Sequence, residues 1–231
     1  GEARRVTNVP VGVGAFKWFP DAKRIAFVAD VWSDLVKWED QGKRLKERAD
    51  SKTSAKVWDR APIAYWDHFL DDREPQLFSI ALEGGETTAI TRGSGYWLSK
   101  QEYSASSFDI SPDGTELAFV ADRDRSGIDP NDDIIVIPAC GCKPARNLNA
   151  DSVADESNPV YSPDGRSLAY TQKRTPRFYA DTQRLMLLDR AAGTTRGLTE
   201  QWDRSADGLV WASDSQALYG QIDDAASSRI Y

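Results

Sequence analysis

Histidine occurs once in these 231 residues, at His68, and no Gly-x-Ser-x-Gly turn occurs anywhere. A serine nucleophile of the strand-turn-helix type with an imidazole base therefore cannot be assembled from this chain. Cysteine occurs twice, as Cys140-Gly141-Cys142. Two thiols with no others to join them are too few ligands for a metal site, so no metal and no cofactor are expected. A disulfide across one residue is expected to be strained, so the pair reads as a hairpin tip bearing free or partner-linked thiols. No apolar run approaches membrane-spanning length. The net charge of -7 argues against a nucleic-acid surface, which is normally basic. Gly1-Glu2-Ala3-Arg4-Arg5 does not read as a signal peptide.

What is abundant is one short block. Ser111-Pro112-Asp113-Gly114-Thr115-Glu116-Leu117-Ala118-Phe119 is followed by Ser162-Pro163-Asp164-Gly165-Arg166-Ser167-Leu168-Ala169-Tyr170. Phe19-Pro20-Asp21-Ala22-Lys23-Arg24-Ile25-Ala26-Phe27 is a weaker copy, and Ala212-Ser213-Asp214-Ser215-Gln216-Ala217-Leu218-Tyr219 a decayed one. Asp113, Asp164 and Asp214 stand 51 and 50 residues apart, a period that marks a solenoid, propeller or array. Pro-Asp-Gly is a tight turn: proline presets φ, aspartate bonds the backbone, and glycine accepts φ > 0. Fifteen residues after Phe119 and Tyr170 come the apolar runs Ile134–Ile137 and Leu185–Leu188. Each leads past a glycine to a last short strand ending at Asn149 or Thr199; the first unit has Leu77–Ile80 and Ala89–Thr91. Four short strands per unit of about fifty residues predict an all-β fold, a β-propeller of four-stranded antiparallel blades. A β-sandwich lacks a turn recurring in register, and a parallel β-helix repeats faster.

Both ends read as falling inside a repeat. Arg5-Val6-Thr7 looks like the last strand of a preceding blade, and Arg229-Ile230-Tyr231 like the start of a third strand. Residues 1–231 are thus expected to form part of one propeller, a partial ring of three complete blades and two partial ones. A small propeller closed by mixed blades or by oligomerisation is the alternative.

The first complete blade carries an insertion at about 31–68, because Phe27 and Leu77 are 50 residues apart where the other units have 15. Leu35, Trp38, Gly42, Leu45 and Ala49 form a helical stripe, with Glu39–Lys43 and Asp40–Arg44 as i,i+4 pairs and Ser33 as N-cap. The expected helix runs from about Ser33 to Ala49, either as a flap on the rim or as a lid. Behind it an aromatic segment runs through Trp58, Tyr65, Trp66, Asp67 and His68. His68 has no nucleophile beside it and is expected to bond to a backbone group or to Asp67. Asp122-Arg123-Asp124-Arg125-Ser126-Gly127, with Asp133, matches calcium-loop spacing, but the two arginines oppose a cation.

These repeats resemble the WD-like, Tol-type repeats shared by the periplasmic propeller protein of the Tol system and the N-terminal propeller of prolyl oligopeptidase-family serine peptidases. Two stretches resemble the bacterial dipeptidyl and acylaminoacyl peptidases of the second group: Phe16 to Val28 with the insertion and Tyr65-Trp66-Asp67-His68, and Leu198-Thr199-Glu200-Gln201-Trp202-Asp203-Arg204-Ser205 leading to Trp211. The resemblance implies a propeller of about seven or eight blades capping a C-terminal α/β-hydrolase domain that is absent from this chain. It implies gating, so that short peptides are cleaved, with catalysis by a serine triad whose motifs do not map here. Trp66, Asp67, His68 and Arg204 are the substrate-channel candidates, with no catalytic residue among them. The expected partners are short peptides and the hydrolase domain, and the expected location is periplasmic or secreted, with cytoplasmic as the alternative. The rival reading is a non-enzymatic Tol-type propeller that binds protein or peptide partners.

Overall fold

The repeated turns set the frame. Gly114 N–H donates to the Ser111 carbonyl at 2.8 Å. Asp113 Oδ1 accepts from the Ser111 hydroxyl at 2.6 Å and from the Thr115 N–H at 3.0 Å. The turn at Gly165 repeats all three bonds. Both glycines take left-handed φ, +68° and +70°. In the other two copies Ala22 and Ser215 take the same conformation, φ 53° and 62°, and Asp21 and Asp214 still accept from the N–H two residues on. Aspartate holds the turn where glycine has been lost.

The chain is described by a computed structural model over residues 2–55, 57–58, 64–100, 102–122, 131–142 and 144–231. In chain order the elements are β1 (Phe16–Trp18), β2 (Arg24–Val31), α1 (Trp38–Asp50), β3 (Ala64–Tyr65), β4 (His68–Phe69), β5 (Glu74–Ala81) and β6 (Thr88–Ala89). Then follow β7 (Phe108–Ile110), β8 (Glu116–Asp122), β9 (Asp132–Pro138), β10 (Arg146–Asn147), β11 (Asp155–Tyr161), β12 (Ser167–Lys173), β13 (Arg184–Asp189) and β14 (Thr194–Gly197). The last are β15 (Ala206–Trp211), β16 (Leu218–Asp224) and β17 (Ser227–Ile230). They form four-stranded sheets β1-β2-β5-β6, β7-β8-β9-β10 and β11-β12-β13-β14, and a three-stranded sheet β15-β16-β17. Every strand pairing among the described residues is antiparallel. Ile134–Ile137 and Leu185–Leu188 lie in β9 and β13, as the repeat predicts. These are propeller sheets.

The sheets stack face to face because their middle strands are apolar on both sides. Val28, Leu77, Phe108, Phe119, Ile135 and Ile137 fill the space between the first two sheets. Val120, Ile134, Tyr161, Leu168 and Tyr170 fill the next, and Leu185, Ala206, Leu209 and Ile222 the last. One polar bond recurs: the first N–H of each apolar third strand is met by a side chain following the fourth, Leu77 by Thr91 at 3.0 Å and Leu185 by Thr199 at 2.9 Å. Asp109 ties three first strands, accepting from Lys17 Nζ at 2.9 Å and from the Tyr161 N–H at 2.8 Å.

Three expectations are corrected. Arg5-Val6-Thr7 is not a strand; Val6, Val9 and Val11 pack with Trp38 on the outer face of the first sheet, over Phe27, Phe78 and Ile80. That apolar face needs a cover, and the N-terminal segment and α1 supply it. The helix begins at Trp38 rather than Ser33, with Lys37 at the N-cap and no side-chain cap, because the Ser33 hydroxyl is taken by Glu74. Of the stripe, Leu35, Trp38, Gly42 and Leu45 are half-buried and Ala49 is exposed, and Gln41 beside them is fully enclosed. Gln41 bonds the backbone on both sides of the chain reversal before the helix, accepting from the Trp32 N–H and donating to the Trp32 and Leu35 carbonyls. Arg44 pairs with Asp34 and Lys43 with Glu47, not with the partners their spacing suggested.

Candidate substrate-access face

In an antiparallel four-stranded unit, the connection from second to third strand and the one leading to the next unit emerge at the same end. Here that end holds the insertion, the loop between β12 and β13, and the segment before β7. A polar cleft of about 430 Å³ opens among them. Tyr65 comes from the insertion, Tyr103, Ser104, Ser106 and Ser107 from the segment before β7, Asp132 and Lys173 from strand ends, and Asn158 from within β11.

The insertion reaches this cleft through a small hairpin. Tyr65 pairs with His68 across a two-residue turn, with Trp66 at φ 52°. The Tyr65 ring stands edge-on to both Trp66 and His68, at 6.5 Å and 6.0 Å between centroids. Its hydroxyl donates to Glu102 at 3.0 Å, bridging the cleft mouth. Trp66 is 88% exposed, and Asp67 and His68 are exposed with it. His68 Nδ1 lies 3.4 Å from the Asp67 carboxylate. The hairpin tip therefore presents an indole, an imidazole and a carboxylate to solvent.

The base of the insertion is held rigidly. Trp38 packs on Phe78 at 4.9 Å and donates from Nε1 to Thr87 at 2.7 Å. Arg48, one turn from the end of α1, pairs with Asp71 and Asp72 at the start of the return path. Arg44, Arg48 and Arg73 all stand over the Trp32 ring, at 5.5, 4.8 and 5.5 Å.

Of the four sequence candidates, Trp66, Asp67 and His68 are brought together, though Tyr65 and not they lines the cleft. Arg204 is elsewhere, paired with Asp203 at 2.6 Å and Asp224 at 3.2 Å in the last sheet. Its guanidinium is held above its ordinary value by those two carboxylates. The calcium-loop pattern lies largely at 123–130, outside the described residues. Among the described residues no cluster of His, Cys, Asp and Glu is arranged to hold a metal.

Sequence reasoning missed the cleft floor. Asn158 has φ 54° and sits in a bulge of β11, where register shifts between Ser157 and Val160. Gly208, fifty residues later, has φ 56° in the matching bulge of β15. Asn and Gly are the residues that accept this conformation, so the period carried the signal. The bulge places Ser157 and Asn158 in the cleft wall. Asp132 beside them is pushed up to about 7, first by burial and then by Asp122, Asp155 and Asp133. Lys173 is the cation of the cleft wall among the described residues.

The cysteines are the fourth correction. Cys140 and Cys142 are joined as a disulfide, with 5.1 Å between their Cα atoms. Gly141 at φ +60° folds the chain back far enough to bring them within reach.

No family model matches the chain. Among curated proteins, dipeptidyl-peptidase 5 of Porphyromonas gingivalis is 26% identical over 90% of this chain and 30% of its own length. Dipeptidyl-peptidase 5 of Aspergillus oryzae is 28% identical over 98% of this chain and 34% of its own length. Over this length the chain is similar to part of the dipeptidyl-peptidases 5. It spans about a third of the length of these relatives. Among solved structures, an acylaminoacyl peptidase of Pyrococcus horikoshii superposes with a TM-score of 0.61 at 15% identity, over 95% of this chain and 30% of that one. A putative TolB of Agrobacterium tumefaciens gives 0.59 at 16% identity, over 98% and 60%. The propeller fold read from the repeats and the peptidase resemblance carried by the two longer stretches are both borne out. No helix among the described residues is long and apolar enough to cross a membrane.

Proposed function

We propose that this chain is the propeller part of a serine peptidase that acts on short peptides, and that the face carrying the Tyr65–His68 hairpin controls their access to a C-terminal α/β-hydrolase domain. The observation that carries the reading is that peptidases match nearly all of this chain with only about a third of their own length, while the chain has one histidine and no nucleophile turn. Chemistry then belongs to another part of the protein, and recognition and exclusion to this one. The cleft supports that role. Serine hydroxyls and Asn158 offer donors and acceptors to a peptide backbone, and the hairpin supplies an aromatic surface at its mouth.

A Tol-type binding propeller is the second reading, favoured by the comparable superposition of TolB. One comparison separates them. The 231-residue chain and the full-length protein are assayed on dipeptidyl anilides and on an acylated amino-acid anilide, with and without a serine-directed reagent. The peptidase reading expects turnover by the full-length protein alone, abolished by the reagent. It is overturned if the full-length protein has no turnover, or if its polypeptide contains no Gly-x-Ser-x-Gly turn followed by Asp and His. We also propose an exported location; the disulfide supports it, since such bonds persist in oxidising compartments.

A further inference from the structure

The disulfide tip lies at the opposite end of the second sheet from the cleft. Cys140-Gly141-Cys142 forms the connection from β9 to β10, beside the Pro112-Asp113-Gly114 turn, with Ala139 N–H donating to the Thr115 carbonyl at 2.8 Å. Both cysteines are exposed. Gly141 is wedged against the first sheet: a Cβ there would stand 2.5 Å from the Ala89 carbonyl oxygen and 3.1 Å from that of Ile90. Only glycine fits, so the tip has a fixed seat on its neighbour.

A bond between residues two apart closes the shortest of loops, and constrains the unfolded chain far less than a long-range disulfide does. As a stability staple it is poorly placed. As a reactive group it is well placed, because exposed disulfides are the ones open to attack and exchange. The two sulfurs also differ. Cys142 N–H donates to Cys140 Sγ at 3.3 Å, a bond that stabilises negative charge on that sulfur and makes it the better leaving group.

We propose that the Cys140–Cys142 tip is a reversible thiol–disulfide exchange site for small thiols, with attack at Cys142. A thiolate RS⁻ attacks Cys142 Sγ; the Cys140–Cys142 bond breaks, an R–S–Cys142 bond forms, and Cys140 leaves as a thiolate. A second RS⁻ then attacks the R sulfur, releasing RSSR and the Cys142 thiolate. Two thiols are oxidised to one disulfide as the protein disulfide is reduced to two thiols. The opened tip loses the closure that holds Gly141 on Ala89 and Ile90, so the state of the bond is felt at the boundary of the first two sheets.

The test uses the folded 231-residue chain, equilibrated without oxygen in glutathione buffers of graded ratio, quenched with acid, alkylated and read by peptide mass. The disulfide is expected intact in air, and reduced progressively under native conditions as reduced glutathione comes into excess. A Cys140→Ser variant treated with oxidised glutathione is expected to hold glutathione on Cys142. In wild type under limiting thiol, the mixed disulfide should sit on Cys142 at several-fold excess over Cys140. Amide exchange at Ile90, whose N–H donates to the Leu77 carbonyl at 2.9 Å, should quicken on reduction. Two free thiols in air-oxidised protein would overturn the proposal. So would a bond that survives excess reduced glutathione in the folded chain but not in urea, or adducts falling equally on both cysteines.

Discussion

Glu156 is fully enclosed in the crevice between the second and third sheets. Its Oε1 accepts from the Ser152 hydroxyl and the Gln172 amide, both at 2.8 Å, and its Oε2 has no hydrogen-bond partner among the described residues. Asp133 and Asp155 face it, and Asp132 lies beside them. Burial, the largest cause, outweighs the two hydrogen bonds and pushes the carboxyl up to about 7 from an ordinary 4.5. The folded state therefore holds a proton that the unfolded chain gives up earlier. Its contribution to stability is complete below about pH 4.5 and is lost as pH rises through 7. A gap of about 2.5 units at about 1.4 kcal/mol each makes the whole effect on the order of 3 kcal/mol. Glu156→Gln keeps the shape and removes the titration. Urea unfolding of variant and wild type at several pH values from 4 to 8 measures the difference. At the acid end the two should be within about 0.5 kcal/mol. At the alkaline end the variant should be more stable by about 2 to 3 kcal/mol, a rise in Tm of roughly 6 °C for a chain of this size. A difference that does not change with pH, or one that favours the wild type as pH rises, would show that the crevice is wetter than its geometry indicates.

Asp109→Ala removes the acceptor shared by Lys17 and the Tyr161 N–H and should cost about 2 to 3 kcal/mol in urea unfolding; a loss under about 0.5 kcal/mol would refute its role as a tie between first strands. Ala22→Gly relieves left-handed φ at a turn without glycine and should stabilise by about 1 kcal/mol, and destabilisation would refute the strain argument; Ser215→Gly should gain less, because it also removes the hydroxyl that accepts from the Asp164 N–H at 3.0 Å. Asp67→Ala and His68→Ala in the full-length protein should raise KM for peptides several-fold with unfolding midpoints nearly unchanged, because both side chains are exposed; wild-type kinetics in both variants would remove the hairpin tip from the access route.

The sheets were legible because each is written twice over, in apolar runs of strand length and in a turn of period fifty. Losing glycine at 22 and 215 did not hide those turns, since aspartate remained to hold them. The helix start was missed by more than a turn, Ser33 against Trp38. Ser33 is a good cap by type, but Glu74, 41 residues away, takes its hydroxyl, and no local rule sees that. The same holds for Gln41, which reads as a polar face residue and is buried because the backbone around Trp32 needs its amide. The cysteine pair is a related case: whether two thiols two residues apart can join depends on the backbone between them, and Gly141 is in a left-handed conformation that ordinary residues avoid.

The cleft was the least legible part, and its residues show why. Tyr65, Tyr103, Asp132, Asn158 and Lys173 come from five separate segments, the insertion, the stretch before β7, and strands β9, β11 and β12, so no spacing in the chain links them. What links them is the blade, which delivers second-to-third and unit-to-unit connections to one end. A site of this kind is found by folding the period first and asking which positions then coincide. Asn158 and Gly208 pass that test, fifty residues apart with the same φ and the same bulge. The insertion fails it by design. It occurs in one unit only, it is anchored on the outer face of that unit by Trp38, and it sends Tyr65 across to Glu102. Repetition builds the wall of this cleft, and the one departure from repetition closes part of its mouth.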